Sequence, residues 1–177
     1  MAALQANHFS SLISLFMAML FLSPLAIAIN SPPLVISTCN QTEFKDVCIS
    51  TLSSDSRSAT ADLYGLGRIS TEKTAVKAKE ALAYSFKAIN YGQDYPQWAA
   101  ISVCLHGFND SVVPLEKTGL PALGRGDYEI AQGFIDEVKI AASNCANQST
   151  DLKEMSDRSN LLLKVTSNTI FILNMLS

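Results

Sequence analysis

Apolar residues after Ala28 recur every three or four positions and never alternate for long, so the governing period is helical. Residues 41–53 set Phe44, Val47, Cys48 and Leu52 on one face, which predicts a short amphipathic helix. Beyond the polar run "SSDSRSAT", Asp62 is placed to cap a second helix carrying Leu63, Leu66, Ile69, Val76, Leu82, Phe86 and Ile89. Gly65 and Gly67 weaken its first turns by about 1 kcal/mol each relative to Ala. "NYGQD" ends it, with Gly92 as the C-terminal cap. Asp94 opens a third helix with Pro96 in its first turn, where a missing N–H costs least. Its stripe of Trp98, Ile101, Leu105, Phe108, Val112 and Leu115 has the three-four spacing of a bundle seam. Pro114 predicts a kink, and Gly119 with Pro121 the end of that helix. "LGRGD" forms the next turn, and Asp127 is expected to cap a fourth helix with Ala131, Phe134, Val138, Ala142 and Cys145 on its inner side. A fifth run from about Asp151 carries Leu162, Val165, Thr169, Ile170 and Leu173.

Two of these helices approach roughly 25–30 residues, or ~40 Å at the α-helical rise. With short connections, the simplest packing is all-α: four long antiparallel helices with a small N-terminal helical extension. Each stripe is read as core. There is no internal repeat and no low-complexity tract.

The N-terminal residues change the chemical setting. "SLISLFMAMLFLSPLAIA" at 11–28 is apolar and uncharged and ends in Ala26-Ile27-Ala28. This predicts a secretory signal peptide over 1–28 and a mature domain over 29–177, although no Lys or Arg precedes the apolar run. A membrane anchor is the weaker reading, since Pro24 and the small residues interrupt the run before it reaches a full span. All four cysteines, Cys39, Cys48, Cys104 and Cys145, lie in the mature chain, so in an oxidising compartment they are read as two disulfides; spacing leaves three pairings open. The sequons at Asn40, Asn109 and Asn147 are candidate N-glycosylation sites. A net charge of −3 provides no field for nucleic acid or anionic lipid and suits a basic partner.

Reactive constellations are missing. The mature chain has a single histidine, His106, too few for the usual zinc spacings or for a di-iron bundle, and it stands two residues from Cys104 rather than beside a free nucleophile. There is no Gly-x-Ser-x-Gly elbow, and "GLG" at 65–67 lacks the strand and third glycine of a phosphate loop. Asp136-Glu137 and Glu154-Asp157 have lysine neighbours and read as solvated helix faces, not as two carboxyls held across a sugar. No cofactor, metal or catalytic residue is expected. A stapled helical bundle of this kind acts by shape, as a binder or inhibitor.

"ISTCNQTEFKDVCISTL" at 36–52 carries the order Cys-x-x-Thr-x-aromatic-x-x-x-Cys-x-x-x-Leu through Cys39, Thr42, Phe44, Cys48 and Leu52. "AISVCLHGFNDSVVPLEK" and "GRGDYEIAQGFIDEVKIAASNC" follow around the third and fourth cysteines. These segments resemble the plant invertase and pectin methylesterase inhibitor family over about Ile36 to Ser177. "TADLYGLGRIS" is similar to a subgroup of it that includes a pollen allergen. The resemblance implies a four-helix up-down bundle with an N-terminal helical hairpin. It also implies pairing of Cys39 with Cys48 and of Cys104 with Cys145.

It further implies a protein that blocks a plant pectin methylesterase or an acid invertase by covering the substrate cleft, in a 1:1 complex in the apoplast or, for some members, the vacuole. Tyr128-Glu129-Ile130 after Asp127 stand where the best-known invertase inhibitors carry Pro-Lys-Phe, and Asn144 stands where pectin methylesterase inhibitors carry Thr. Asp127, Tyr128, Glu129, Ile130 and Asn144 are therefore the candidate target-binding residues. The acidic charge favours pectin methylesterase as target, with acid invertase as the alternative. A third reading, a non-inhibitory secreted bundle holding a small ligand or serving as a pollen or seed protein, would show as an apolar cavity between the helices. No nucleic acid is expected as partner, and no membrane once the signal peptide is removed.

Overall fold

A computed structural model describes residues 31–91 and 94–177; the expected signal peptide at 1–28 and the expected cap Gly92 lie outside them. Pro33 occupies the first helical position of α1 (Pro33–Cys39), where its lack of an N–H removes no helical bond. The single helix expected over 41–53 is instead a turn at 40–44 followed by α2 (Lys45–Ser53). Phe44 shares the face of Cys48, but its φ of −111° and ψ of 64° take the backbone out of the helix. Thr42 Oγ1 donates to the Cys39 carbonyl at 2.9 Å inside this turn, and the Cys39–Cys48 disulfide closes the hairpin.

A short 3₁₀ turn (Ser56–Ala59) follows, with Asp55 accepting from Arg57 N at its start. Arg57 bonds both Asp55 and Glu72, Arg68 also reaches Glu72 at 2.9 Å, and Lys73 lies 3.5 Å from Asp55. The hydrogen bond from Arg57 holds the Asp55 carboxyl well below the usual range. Burial alone would push Glu72 up, but the bonds from Arg57 and Arg68 together outweigh it and hold it low. A carboxyl whose pKa falls on folding stabilises above its unfolded pKa, and that contribution is lost as pH falls through the folded value. Melting temperatures of the wild type and Asp55→Asn should therefore differ near pH ~7 and converge well below pH ~4. Curves that stay parallel across that range would contradict the assignment.

The long helices are α3 (Leu63–Ala88), α4 (Tyr95–Pro114), α6 (Tyr128–Gln148) and α7 (Lys153–Asn174). Asp62 and Asp94 cap the first two, accepting from Gly65 N at 2.7 Å and Gln97 N at 3.0 Å. The inner face of α3 corrects the sequence expectation. Val76 and Phe86 are 49% and 51% exposed, whereas Gly67, Ser70, Thr71, Thr74, Ala75, Ala78, Ala81 and Ser85 are buried with Leu66 and Ile69. Small side chains let α3 run close to α7, and their hydroxyls are satisfied within the contact, as burial requires. Ser70 and Thr74 meet Thr169 at 2.6 and 3.0 Å, and Thr71 and Thr74 also donate to carbonyls of the preceding turn.

The stripe of α4 starts at Ile101, since Trp98 is 46% exposed and stacks on Tyr95 outside the core. The chain does not stop at Gly119 or Pro121 as expected. It continues through a π-helical stretch (Leu115–Gly119) into α5 (Leu120–Gly124). In regular α geometry the Pro121 ring would strike the carbonyl of Lys117; the wider turn, in which Leu120 N donates to Leu115 O, moves that carbonyl aside. Gly119 is required by packing, because a Cβ there would lie 2.9 Å from Leu115 Cδ1 and 3.1 Å from Phe134 Cβ. Gly126, at φ 85°, turns the chain into α6. On α6, Ile135 fills the core position expected of Phe134, which is only partly buried. Leu162, Val165, Thr169 and Leu173 of α7 are buried as expected, whereas Ile170 is half-buried.

α3, α4, α6 and α7 neighbour one another in chain order around an up-down bundle, with α3 and α6 on a diagonal. Phe108, Ile101, Leu115, Ile135, Met155 and Leu162 fill its interior. The hairpin of α1 and α2 packs on α3 and α7 through Val35, Cys39, Cys48, Leu52, Leu66, Ile69 and Ile172. Asn168, buried on α7, clamps the hairpin turn: its Nδ2 donates to Phe44 O at 2.9 Å and its Oδ1 accepts from Phe44 N at 3.2 Å. Asn168→Leu, close in volume but unable to bond, should cost about 1–3 kcal/mol in urea unfolding. A change under about 0.5 kcal/mol would show that the clamp contributes nothing.

Candidate functional site

The hairpin sits on the α3 and α7 side of the bundle and leaves the α4–α6 seam uncovered. That seam is a rigid one. Cys104 on α4 and Cys145 on α6 are joined with their Cα atoms 4.6 Å apart, and Ser159 Oγ from α7 lies 3.0 Å from Cys145 Sγ. One turn farther along, Gly107 faces Ala141, and the absence of bulk at both positions lets the two backbones approach.

Above this contact the seam opens to solvent as a groove of about 170 Å³ lined by Gly107, Asp110, Glu137, Ile140 and Asn144. On α6 the exposed residues Ile130, Gly133, Glu137, Ile140 and Asn144 follow the same three-four spacing as a core stripe but on the outward face. Val103, Gly107 and Asp110 run beside them on α4. Ile130 and Ile140 are 51% and 53% exposed, and Val103 is exposed as well. Asp110 accepts from Asn109 Nδ2 at 3.2 Å; among the described residues neither it nor Glu137 has an ion-pair partner. The result is an apolar strip edged by two unpaired carboxylates on a cross-linked pair of helices, suited to a partner that presents apolar contacts ringed by cations.

The structure separates the candidate binding residues into two groups. Ile130 and Asn144 both lie on the exposed stripe, about four turns or ~21 Å apart. Glu129 is exposed beside Ile130. Tyr128 instead packs edge-on against Tyr64, their ring centres 6.2 Å apart, and Tyr64 Oη reaches the Leu123 carbonyl at 3.4 Å. Asp127 stands at the N-cap of α6 but makes no side-chain cap bond there, contrary to expectation; its Oδ2 accepts from Arg125 Nε at 3.1 Å across the Gly126 turn. Val103, Asp110 and Ile140 are not marked by the sequence, and Glu137 is read there only as part of a solvated helix face. The heptad spacing of Ile130, Glu137 and Asn144 was the available signal, but an outward stripe is masked by the stronger core stripe beside it.

The other candidate groups take structural positions. His106 is exposed on α4. Glu154 is tied to Arg158, and Asp157 pairs with Lys153. Asn40, Asn109 and Asn147 are exposed, whereas the hydroxyl residues of their sequons, Thr42, Ser111 and Ser149, are buried and bonded to backbone carbonyls. Among the described residues no group of three or more acidic, His or Cys side chains could hold a metal, and no helix is long and apolar enough to cross a membrane.

A family model described as plant invertase/pectin methylesterase inhibitor matches residues 33–172. The chain is 26% identical over 137 residues to a pectinesterase inhibitor of Actinidia deliciosa, spanning 76% of this chain and 70% of that protein. It is 42% identical over 55 residues to pectinesterase inhibitor 28 of Oryza sativa subsp. japonica, a match to 31% of this chain and 24% of that protein. A solved mutant form of a pectin methylesterase inhibitor from Arabidopsis superposes with a TM-score of 0.69 at 20% identity, covering 78% of this chain and 94% of the other. A pectin methylesterase inhibitor from Arabidopsis thaliana superposes with a TM-score of 0.62 at 19% identity, covering 81% and 96%. At such identities the structural likeness establishes the fold alone.

Proposed function

The chain belongs to the plant invertase/pectin methylesterase inhibitor family, and from that membership we propose that it is a secreted inhibitor of a cell-wall pectin methylesterase. It binds 1:1 and occludes the substrate cleft with the α4–α6 face. The observation that carries this reading is the uncovered seam itself: two helices joined by a buried disulfide, with Val103, Ile130 and Ile140 exposed along it and the carboxylates of Asp110 and Glu137 lining its groove. A face already rigid before binding loses little conformational entropy on association, so its apolar contacts translate into affinity. Its negative rim favours approach of a basic enzyme. The filled bundle interior supports action through a surface rather than through an internal ligand cavity.

The test is a substitution at the centre of the strip. Ile140 is exposed, so Ile140→Asp should leave the melting temperature nearly unchanged while weakening inhibition of the esterase at least tenfold, about 1.4 kcal/mol. Asn144→Arg, at the groove end, should weaken it as well. Unaltered inhibition by both variants would place the contact surface elsewhere.

A further inference from the structure

On the opposite side of the bundle, the C-terminal end of α3 and the N-terminal end of α7 enclose a cleft of about 580 Å³. We propose that this cleft binds a short acidic saccharide, a uronate-type oligomer of two or three sugars, through Lys87 and Tyr91. The volume lies within the ~300–1,000 Å³ of small-ligand sites. Of the two cations lining the cleft among the described residues, Lys87 and Arg158, one is held in an ion pair. The Arg158 guanidinium lies over the Tyr84 ring, 4.7 Å from its centre, and is held by Glu154, which accepts from Arg158 Nε at 3.2 Å and Nη2 at 2.6 Å. Glu154 is thereby occupied and Arg158 neutralised. Lys87 is exposed at the cleft and has no ion-pair partner among the described residues.

The lining decides the ligand class. Ala83 and Ala88 supply little apolar surface, so a purely hydrophobic ligand would bury little there. Tyr91, 63% exposed, supplies a flat face with a hydroxyl at its edge, whereas Tyr84 is half-buried against the core with its ring beneath Arg158. A sugar ring presents the matching surfaces, a C–H face to lie on an aromatic ring and hydroxyls at its rim, and a uronate adds the carboxylate that meets an unpaired ammonium. The cleft and the α4–α6 groove share no residue, so this inference stands whether or not the groove binds an esterase.

The test is a chemical-shift titration of the isotope-labelled protein with trigalacturonate. The fully methyl-esterified trimer and benzoate serve as comparators. Saturable shifts confined to residues 83–91 and 154–158 are expected, with a Kd of about 1 mM or tighter. Binding should weaken about tenfold with Lys87→Gln, with Tyr91→Ala and with the esterified trimer; both side chains are exposed, so neither variant threatens the fold. No saturable shift, shifts centred elsewhere, or equal binding by Lys87→Gln would overturn the proposal. Tighter binding of benzoate than of the trimer would overturn the saccharide assignment.

Discussion

Replacing Cys104 and Cys145 together by alanine is expected to lower the unfolding free energy by about 4 kcal/mol. The bridge closes a loop with a sequence separation of 41, longer than the 9 of Cys39–Cys48, so it removes more freedom from the unfolded chain; the shorter link is expected to contribute about 3 kcal/mol. The effect is large against a typical margin of ~5–15 kcal/mol. For a domain of this size, a loss of that magnitude lowers the melting temperature by roughly 8–16 °C. The two links also differ in what they hold. Cys39–Cys48 fastens only the hairpin, which Asn168 clamps independently, whereas Cys104–Cys145 fastens the two helices of the exposed groove. Removing the longer link should therefore reduce inhibition even at temperatures where the bundle remains folded. Urea unfolding and inhibition assays on both double variants check this, and a loss under about 1 kcal/mol for Cys104/Cys145 would refute the constraint argument.

Phe108→Ala should cost about 3–5 kcal/mol, the loss of a large buried aromatic together with the cavity left behind. Phe108 has no exposed surface and lies in the main core with Ile101, Val112, Leu115 and Ile135. Phe86→Ala is the internal comparison. Phe86 falls on an apolar stripe in the sequence just as Phe108 does, yet it is half exposed and its truncation should change stability by no more than about 0.5 kcal/mol. Chemical denaturation of the two variants separates the cases, and similar losses would mean that the core is placed wrongly.

These two phenylalanines show what the sequence makes legible. The helical period, the caps at Asp62 and Asp94 and the stripes of α4 and α7 follow from local chemistry, so the all-α architecture was readable from sequence. On α3 the period is equally clear, but the face that packs is made of Gly, Ala, Ser and Thr because the neighbouring helix runs close. Small polar residues carry no hydrophobic signal, and Val76 and Phe86 diverted the reading to the other side. Pro121 misled in a different way: a proline ends an isolated helix, yet here a π turn and the packing of Gly119 against Phe134 keep the chain helical as far as Gly124. Asn168 was invisible because its partners are backbone atoms 124 positions away.

The candidate face was legible only at its ends. Ile130 and Asn144 lie on it, while Asp127 and Tyr128 serve the turn that precedes it. Its middle, Glu137 and Ile140 on α6 opposite Asp110 on α4, emerges only when the two helices are laid side by side.

A plant pectin methylesterase titrated with the oxidised protein at apoplastic acidity, with an acid invertase assayed in parallel, separates inhibitor from non-inhibitor. Dose-dependent loss of esterase activity to a 1:1 end point is the expected result, with the invertase unaffected. An esterase rate that stays constant at saturating protein, whether or not the invertase is inhibited, would contradict it.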